Sequence, residues 1–171
     1  MLPVSGQGTN ESVAEKGERS EPGIRSFQRS LPMLLMRARE AVMARFRPNL
    51  RQHDITEQQW RVLRVLAEQE SVEMLDLAQR CCIQPPSLSR TIPLLVRRGL
   101  VRRSNGSDDQ RRILVKLTPK GQDLFQVMSA ESARVYAHLE SEIGVARQAE
   151  IYQTLDELIA IANSGAPKEG K

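Results

Sequence analysis

The middle of this chain changes from a helical pattern to a short strand pattern and back, which narrows the fold more than any other feature. Residues 100–103 and 112–117 read as two short strands, and from Ile113 onward apolar residues alternate along the second one. Residues 105–108 supply turn-forming side chains, so the two strands are predicted to pair as a hairpin. The sequence therefore predicts a mainly α protein with a small β-hairpin.

Four helical segments precede the hairpin. The first carries an apolar stripe with helical spacing from Leu31, and Pro48 is expected to kink or break it. Residues 56–59 have the form of a capping box, which predicts the start of the second helix. Apolar residues within 74–78 mark a third helix that ends near the two cysteines, and a fourth begins at Pro85, because proline is tolerated in a first helical turn.

The connections are marked by small, polar or proline residues. Residues 71–72 are interpreted as a short link between the second and third helices. Pro93 is expected to bend the fourth helix, and Gly99 to end it in a left-handed conformation. After the hairpin, Thr118 predicts the start of a long helix that Gly144 ends, and one last helix follows.

Positive charge is concentrated in the centre of the chain. Residues 84–121 hold nine lysine and arginine side chains against two aspartates, a local net charge of +7. Residues 1–83 have a net charge of +1, and residues 122–171 have −4. A basic centre beside an acidic end indicates a segment that faces phosphates.

The third and fourth helices are predicted to form a helix-turn-helix, whose second helix lies in the DNA major groove. Arg90 is the candidate for contacting a base, because a guanidinium can donate two hydrogen bonds to guanine. Gln84 and the phosphate-binding candidates Ser87 and Ser89 share its exposed face. The hairpin is predicted to reach a minor groove as a wing, with Asp109 bracing an arginine at the tip; its candidate residues are Arg102, Arg103, Asp109, Arg111 and Arg112.

The terminal helices are amphipathic but lie outside this compact region, so their apolar stripes need a partner, and a second copy of the chain is the simplest one. A two-fold dimer predicts a palindromic operator. The predicted organisation is a disordered N-terminal arm (1–26), dimerisation helices (27–54 and 119–163), a winged helix-turn-helix DNA-binding region (55–118) and a flexible tail (164–171).

Other classes of protein are disfavoured. No apolar run is long enough to cross a bilayer, and the first residues do not resemble a signal peptide, so a cytoplasmic protein with no membrane partner is expected. His53 and His138 lie far apart in sequence, and no phosphate-cradling glycine loop or metal-spaced ligand cluster is present. We therefore expect that the protein is not an enzyme and that it has no catalytic residue, metal or cofactor.

Three short segments resemble the wing signature of the multiple antibiotic resistance regulator (MarR) family in order and spacing: residues 99–101, 109–112 and 117–121. The resemblance covers residues 31–163, and within the family the chain is similar to regulators of homoprotocatechuate catabolism at residues 38–41, 46–48 and 55–61. It implies a homodimeric repressor of an aromatic-acid catabolic operon. A small aromatic acid or aromatic acyl-CoA effector would release it from operator DNA.

An effector can weaken DNA binding only by favouring a dimer with misplaced recognition helices, so its site is expected where the dimerisation and DNA-binding parts join. The candidates there offer an aromatic wall and cations for a carboxylate: Arg37, His53, Trp60 and Arg64. Trp60 could instead belong to the core, and His53 could simply end a helix. Two alternatives to the ligand-responsive repressor stay open: a redox sensor acting through Cys81 and Cys82, and a protein-interaction module that binds no DNA.

Overall fold

The computed structural model describes residues 26–105 and 112–165 of the 171-residue chain. The chain divides into two compact units after Ala38. In the first unit, the short 3-10 helix Phe27–Arg29 precedes the start of the first α-helix. The predicted N-terminal arm lies outside the described residues, apart from Ser26, which is exposed.

The described residues form six α-helices and three β-strands in the predicted order of four helices, a hairpin and two helices. The helices are α1 (Leu31–Gln52), α2 (Glu57–Ala67), α3 (Met74–Arg80), α4 (Pro85–Arg97), α5 (Pro119–Ile143) and α6 (Val145–Ser164). The strands are β1 (Val72–Glu73), β2 (Val101–Asn105) and β3 (Ile113–Leu117). The fold is mainly helical with one small sheet, so the predicted fold class, a winged helix-turn-helix, is confirmed.

Helices begin and end at the predicted signals. At the start of α2, the Thr56 hydroxyl accepts a hydrogen bond from the Gln59 backbone N–H at 3.2 Å. The Gln59 side chain in turn accepts one from the Thr56 N–H at 3.0 Å, which completes the capping box. The Thr118 hydroxyl caps α5 by accepting from the Gly121 N–H at 3.1 Å. Gly99 follows α4 with φ of 70°, the left-handed stop that was predicted.

The sheet contains a third strand that the sequence did not reveal. The strand order is β1-β3-β2, and both neighbours pair with β3 in antiparallel register. Val72 lies opposite Val115, so the interpretation of residues 71–72 as a plain connection is wrong. A strand of two residues is too short to show the alternation of apolar and polar residues that identifies a strand in a sequence. It forms here because Val72 and Val115 are both buried in the core.

Two prolines lie inside helices without ending them. Helix α1 continues through Pro48 to Gln52, so the chain does not break there. A proline removes a single backbone donor, and the buried Phe46 and Leu50 on either side of Pro48 hold the helix in place. Helix α4 likewise continues past the exposed Pro93 to Arg97.

The hydrophobic core lies between α2, α3, α4, the sheet and the first half of α5. Its fully buried side chains come from each of these elements and include Leu63, Leu77, Leu88, Val115 and Met128. Burying such a side chain contributes about 1.5–3 kcal/mol, so α4 is fixed to the other elements through its apolar row. The opposite side of α4 is left to solvent.

Helix α6 has no buried residue in the single chain. Its exposed large apolar side chains are Val145, Ile151, Tyr152, Leu155, Ile159 and Ile161. None of the helices within residues 26–105 and 112–165 combines the length and apolar composition needed to cross a membrane. Helix α6 ends at Ser164, one residue beyond the predicted boundary, and residues 166–171 of the predicted tail lie outside the described residues. Because most helical stability in proteins comes from tertiary packing, the apolar side chains of α6 that no described residue covers offer a surface for a further packing partner.

Candidate DNA interface and effector site

Helices α3 and α4 are joined by a tight turn that contains both cysteines. Cys82 has a φ of 48°, a left-handed conformation that reverses the chain. Cys81 and Ile83 on either side of it are buried, and the Ile83 N–H donates to the Ala78 carbonyl at 2.9 Å. These contacts confirm the predicted helix-turn-helix.

The cysteines differ in environment. Cys82 is exposed, whereas Cys81 is buried. Burial raises the pKa of the Cys81 thiol to about 11, and the nearby positive charge of Arg61 offsets only part of this effect. Cys81 is therefore a protonated packing residue at neutral pH, and it lacks the thiolate that reacts with oxidants.

Helix α4 presents the predicted contact residues on its outer side. Its inner row contains Leu88, Ile92 and Leu95, and all three are fully buried. Ser89 and Arg90 are exposed, as is Gln84, the residue that precedes the helix.

Ser87 is only partly exposed, and its carbonyl accepts a hydrogen bond from the Thr91 hydroxyl at 2.9 Å. Arg97 is exposed two helical turns after Arg90, on the same outward row opposite the buried one. Arg97 was not predicted as a contact residue, although its spacing of seven residues from Arg90 places both arginines on the same face of a helix.

The wing, defined as strands β2 and β3, carries its positive charge on both faces. Arg102 lies opposite Lys116 in the strand register, so two cations share one face. Arg103 alternates to the other face, opposite the buried Val115, and its side chain is exposed. Like charges directly opposite each other destabilise a strand pair unless an anion lies between them.

Arg112 is exposed immediately before β3. The predicted tip residues Asp109 and Arg111 lie outside the described residues. Lys116, missed as a contact candidate, belongs to the basic segment that the sequence had already singled out.

Three of the four predicted effector residues line up along α5. Trp60 stacks on Phe125 with ring centroids 5.6 Å apart and an interplanar angle of 27°. Trp60 is only 5% exposed, which supports its alternative interpretation as a core residue. His53 Nε2 lies 3.4 Å from a carboxylate oxygen of Glu131 but makes no hydrogen bond within the described residues.

The third residue, Arg64, donates a hydrogen bond to the hydroxyl of Tyr136 at 3.3 Å. The ring of Tyr136 lies 4.9 Å from that of Phe46, at 58°. Among the described residues, no carboxylate lies within ion-pair distance of Arg64. Arg64 and Tyr136 are both exposed, so this guanidinium and hydroxyl are accessible to a ligand. Tyr136 was missed because nothing in the sequence indicates which α5 residue faces α2.

Arg37, the fourth predicted residue, is exposed in the first unit, on α1. The other three belong to the second unit. The structure therefore brings together His53, Trp60 and Arg64 through their shared neighbour α5, and Arg37 stays a prediction.

A charged network joins α1 to the first turn of α2. Glu57 accepts hydrogen bonds from Arg39 at 2.6 Å and from Arg47 at 2.9 Å, and Arg47 also pairs with Glu40 at 2.5 Å. Burial acts to raise the pKa of Glu57, but the two arginine hydrogen bonds prevail and the pKa is lowered. The Arg47 hydrogen bond also lowers the pKa of Glu40. Sequence spacing alone could not pair residues so far apart.

A helix-turn-helix followed by a basic two-stranded wing defines the winged helix-turn-helix class of DNA-binding proteins. The profile of the MarR family matches residues 55–113. The chain is also 39% identical over 135 residues to the homoprotocatechuate degradative operon repressor of Escherichia coli, covering 79% of this chain and 91% of that protein. The chain belongs to the MarR family.

Comparison with solved structures also finds transcriptional regulators of the same fold. The transcriptional regulator PA4135 is 41% identical, with a TM-score of 0.74, and the match covers 81% of this chain and 98% of that one. NadR in complex with 4-hydroxyphenylacetate is 39% identical, with a TM-score of 0.69, covering 80% and 96%. The protein is a MarR-family transcriptional repressor and not an enzyme.

Proposed function

We propose that this repressor binds a palindromic operator, with α4 in the major groove and the wing at a neighbouring minor groove. The single observation that carries the proposal is the cross-strand pair Arg102 and Lys116 on one face of the wing. Two opposed cations lower stability in the free protein, and a DNA phosphate between them would remove that repulsion.

The predicted contact residues on α4 have two kinds of role in this proposal. Arg90 reads a guanine through two hydrogen bonds, while Ser87 and Ser89 bind phosphates and set the register. Gln84 is exposed directly before α4, where its side-chain amide can donate to a phosphate. Arg103, Arg112 and the tip residues Asp109 and Arg111 complete the predicted wing contacts.

The test of DNA binding is its dependence on salt. A duplex selected by the purified protein from a randomised pool should bind less tightly as salt rises, with a slope of about −0.9 per phosphate contact. Arg102→Met should make this slope shallower by about one, whereas Arg90→Met should relax base preference at one position of each half-site. A protein that selects no duplex even at low salt would instead support the protein-interaction module.

We propose that two copies pair through their terminal helices. The support is α6, which carries large exposed apolar side chains and has no buried residue in the single chain. An exposed apolar face of this kind marks an interaction site. A two-fold dimer would place two α4 helices about 34–36 Å apart, one turn of DNA.

Charge placed on α6 tests the dimer. Ile159→Glu should shift the protein toward monomer in sedimentation equilibrium, because it puts a carboxylate into the proposed interface. Asp156→Asn on the same helix is the matched control, and it should leave the dimer intact. A wild-type protein that sediments as a monomer at micromolar concentration would refute the pairing.

We propose that the effector is a small aromatic acid held by Arg64 and Tyr136. Arg64 can donate to a carboxylate, and Tyr136 adds a hydroxyl at the same place. Trp60 precedes Arg64 by one helical turn on α2, and the ring of Phe46 packs on that of Tyr136, so the pair lies next to aromatic residues of the core. The complex of NadR with 4-hydroxyphenylacetate supports this class of ligand.

The regulated genes would be an aromatic-acid catabolic operon, as the name of the Escherichia coli relative indicates for that protein. Occupation of the Arg64 and Tyr136 site would favour an arrangement of α4 that does not fit the operator. The free acid is the leading candidate, and an aromatic acyl-CoA is the alternative. Titrating both forms separates them, because only the true effector will release the selected duplex.

Calorimetry with 4-hydroxyphenylacetate tests the site. Arg64→Met and Tyr136→Phe should each weaken binding about tenfold or more, since each removes a donor to the carboxylate. Arg134→Met is the matched control, because Arg134 is an exposed arginine of α5 outside the proposed pair. If Arg37 belongs to the site, adding Arg37→Met to Arg64→Met will abolish effector release of DNA. Unchanged binding in Arg64→Met would show that the proposed site is wrong.

A further inference from the structure

Two cations of the central basic segment donate hydrogen bonds to backbone carbonyls of the protein itself. Arg98 follows α4 and donates from its guanidinium to the backbone carbonyls of Asp54 and His53, the second at 2.9 Å. Lys120, in the first turn of α5, donates from Nζ to the carbonyl of Arg98 at 2.9 Å. Sequence reasoning had counted both among the charges that face phosphates.

Arg98 caps the end of α1. The Ile55 N–H donates to the Leu50 carbonyl at 2.9 Å and the Asp54 N–H to the Arg51 carbonyl at 3.1 Å, and Asp54 has a φ of 53°. This is the Schellman arrangement, which satisfies the carbonyls of Leu50 and Arg51. Arg98 donates to the carbonyls of His53 and Asp54, the two residues directly after α1, at the end of the helix where a positive charge is favoured.

Lys120 caps the end of α4 in the same way. The Leu100 N–H donates to the Leu95 carbonyl at 3.0 Å and the Gly99 N–H to the Val96 carbonyl at 2.8 Å, which repeats the Schellman pattern. These two bonds do not use the carbonyl of Arg98, and Lys120 donates a hydrogen bond to that carbonyl. The two caps run from α5 to α4 and from α4 to α1.

We propose that Arg98 and Lys120 are positioning residues for operator binding: this pair of caps sets the orientation of α4 relative to α1 and α5, and neither side chain binds DNA. The inference rests on the proposed operator binding. Both cations act at the end of α4, where this helix meets α1 and α5. Because α1 and α5 carry the predicted dimerisation segments, the caps would fix α4 relative to the dimer. Removing a cap would let α4 adopt orientations that do not match the groove.

The expected effect follows from the populations of these orientations. If loss of a cap lowers the fraction of molecules with a competent orientation to about a tenth, the apparent Kd for the operator rises about tenfold. Phosphate contacts are unchanged, so binding to an unrelated duplex and the salt slope should stay as in the wild type. Loss of a residue that contacts a phosphate would instead weaken binding to both duplexes and make the salt slope shallower.

Arg98→Met is the decisive variant, because it keeps the aliphatic stem and removes every donor. It should bind the selected duplex about tenfold more weakly, bind a scrambled duplex within about twofold of wild type, and keep the salt slope. Arg98→Lys should recover part of the loss, since an ammonium can reach one carbonyl. Lys120→Met should reproduce the effect of Arg98→Met.

Arg97→Met is the matched contrast, because Arg97 is the exposed neighbour on the outward row. It should weaken binding to both duplexes and reduce the salt slope by about one. Circular dichroism and thermal unfolding give the folded fraction of each variant, and every Kd is corrected by it.

Three results would overturn the inference. Arg98→Met could lower the salt slope as Arg97→Met does, it could bind like wild type, or its loss could vanish after correction for unfolding. A wild-type protein that selects no duplex would refute the operator proposal and this inference together, so the two failures are distinguishable.

Discussion

Replacing Gly121 by alanine should destabilise the junction between the wing and α5. An added Cβ would lie 2.0 Å from the carbonyl oxygen of Leu100 and 2.9 Å from its carbonyl carbon. Contacts to a Cβ shorter than 3.0 Å are essentially never observed, so the two backbone segments would have to separate by roughly 1 Å. The Leu100 carbonyl also accepts hydrogen bonds from the Thr118 N–H at 3.1 Å and the Thr118 hydroxyl at 3.2 Å, which the movement would weaken.

The size of the effect follows from these contacts. Forcing a methyl group into a packed site costs about 1–3 kcal/mol, and we expect the upper end because both clashing atoms are backbone. Weakening a hydrogen bond of Leu100 adds about 1 kcal/mol, and the better helix propensity of alanine returns a similar amount. The net loss is about 3 kcal/mol, or roughly a 9 °C drop in Tm for a chain of this size.

Thermal unfolding at one fixed protein concentration measures this change, since Tm depends on concentration in an oligomer. Gly165→Ala is the control, because the added Cβ would meet only the Ile161 carbonyl oxygen at an ordinary 3.8 Å. That variant should keep its Tm within about 2 °C of wild type. A Gly121→Ala protein with the Tm of Gly165→Ala would refute the reasoning from the close approach to Leu100.

Three further outcomes are expected. Leu63→Ala should lower the free energy of unfolding by about 2–5 kcal/mol in a denaturant titration, because Leu63 is fully buried, whereas Leu75→Ala at an exposed position should change it by less than about 0.5 kcal/mol. A thiol reagent applied to the native protein at pH 8 should label Cys82 and spare Cys81, as mass spectrometry of the labelled peptides would show, because the pKa of Cys81 is raised to about 11. The pKa of Glu57 is lowered in the folded state, so its stabilisation is present above the unfolded pKa and lost as the pH falls through the folded pKa; stability curves of Glu57→Gln and wild type should differ at pH 7 and converge in acid.

Elements with a local signal could be predicted from the sequence. Thr56 and Gln59 specify the start of α2 through two reciprocal hydrogen bonds, and that contact depends only on residues three apart. Gly99 similarly ends α4 through a positive φ that few other residues tolerate. The basic wing followed from charge and alternation within about twenty residues, which is why the fold class was predicted correctly.

Contacts between distant segments carry no such signal. Strand β1 exists because Val72 meets Val115, and nothing within two residues of Val72 distinguishes it from a loop. The same holds for the contact of Tyr136 with Arg64. Arg98 is a further example, because the sequence shows only that it belongs to the basic segment, whereas its hydrogen bond to the His53 carbonyl at the end of α1 depends on the fold.

His53 connects the proposed effector site on α5 with the proposed cap formed by Arg98. The side chain of His53 lies 3.4 Å from Glu131 on α5, and its carbonyl accepts from Arg98. A ligand at the proposed site would contact Arg64 of α2 and Tyr136 of α5, and a shift of α5 on binding would act on His53 and through it on α4. An effector that weakens operator binding tenfold must favour the incompetent arrangement by about 1.4 kcal/mol. One additional charge-assisted hydrogen bond supplies that difference, so a small shift of α5 is sufficient.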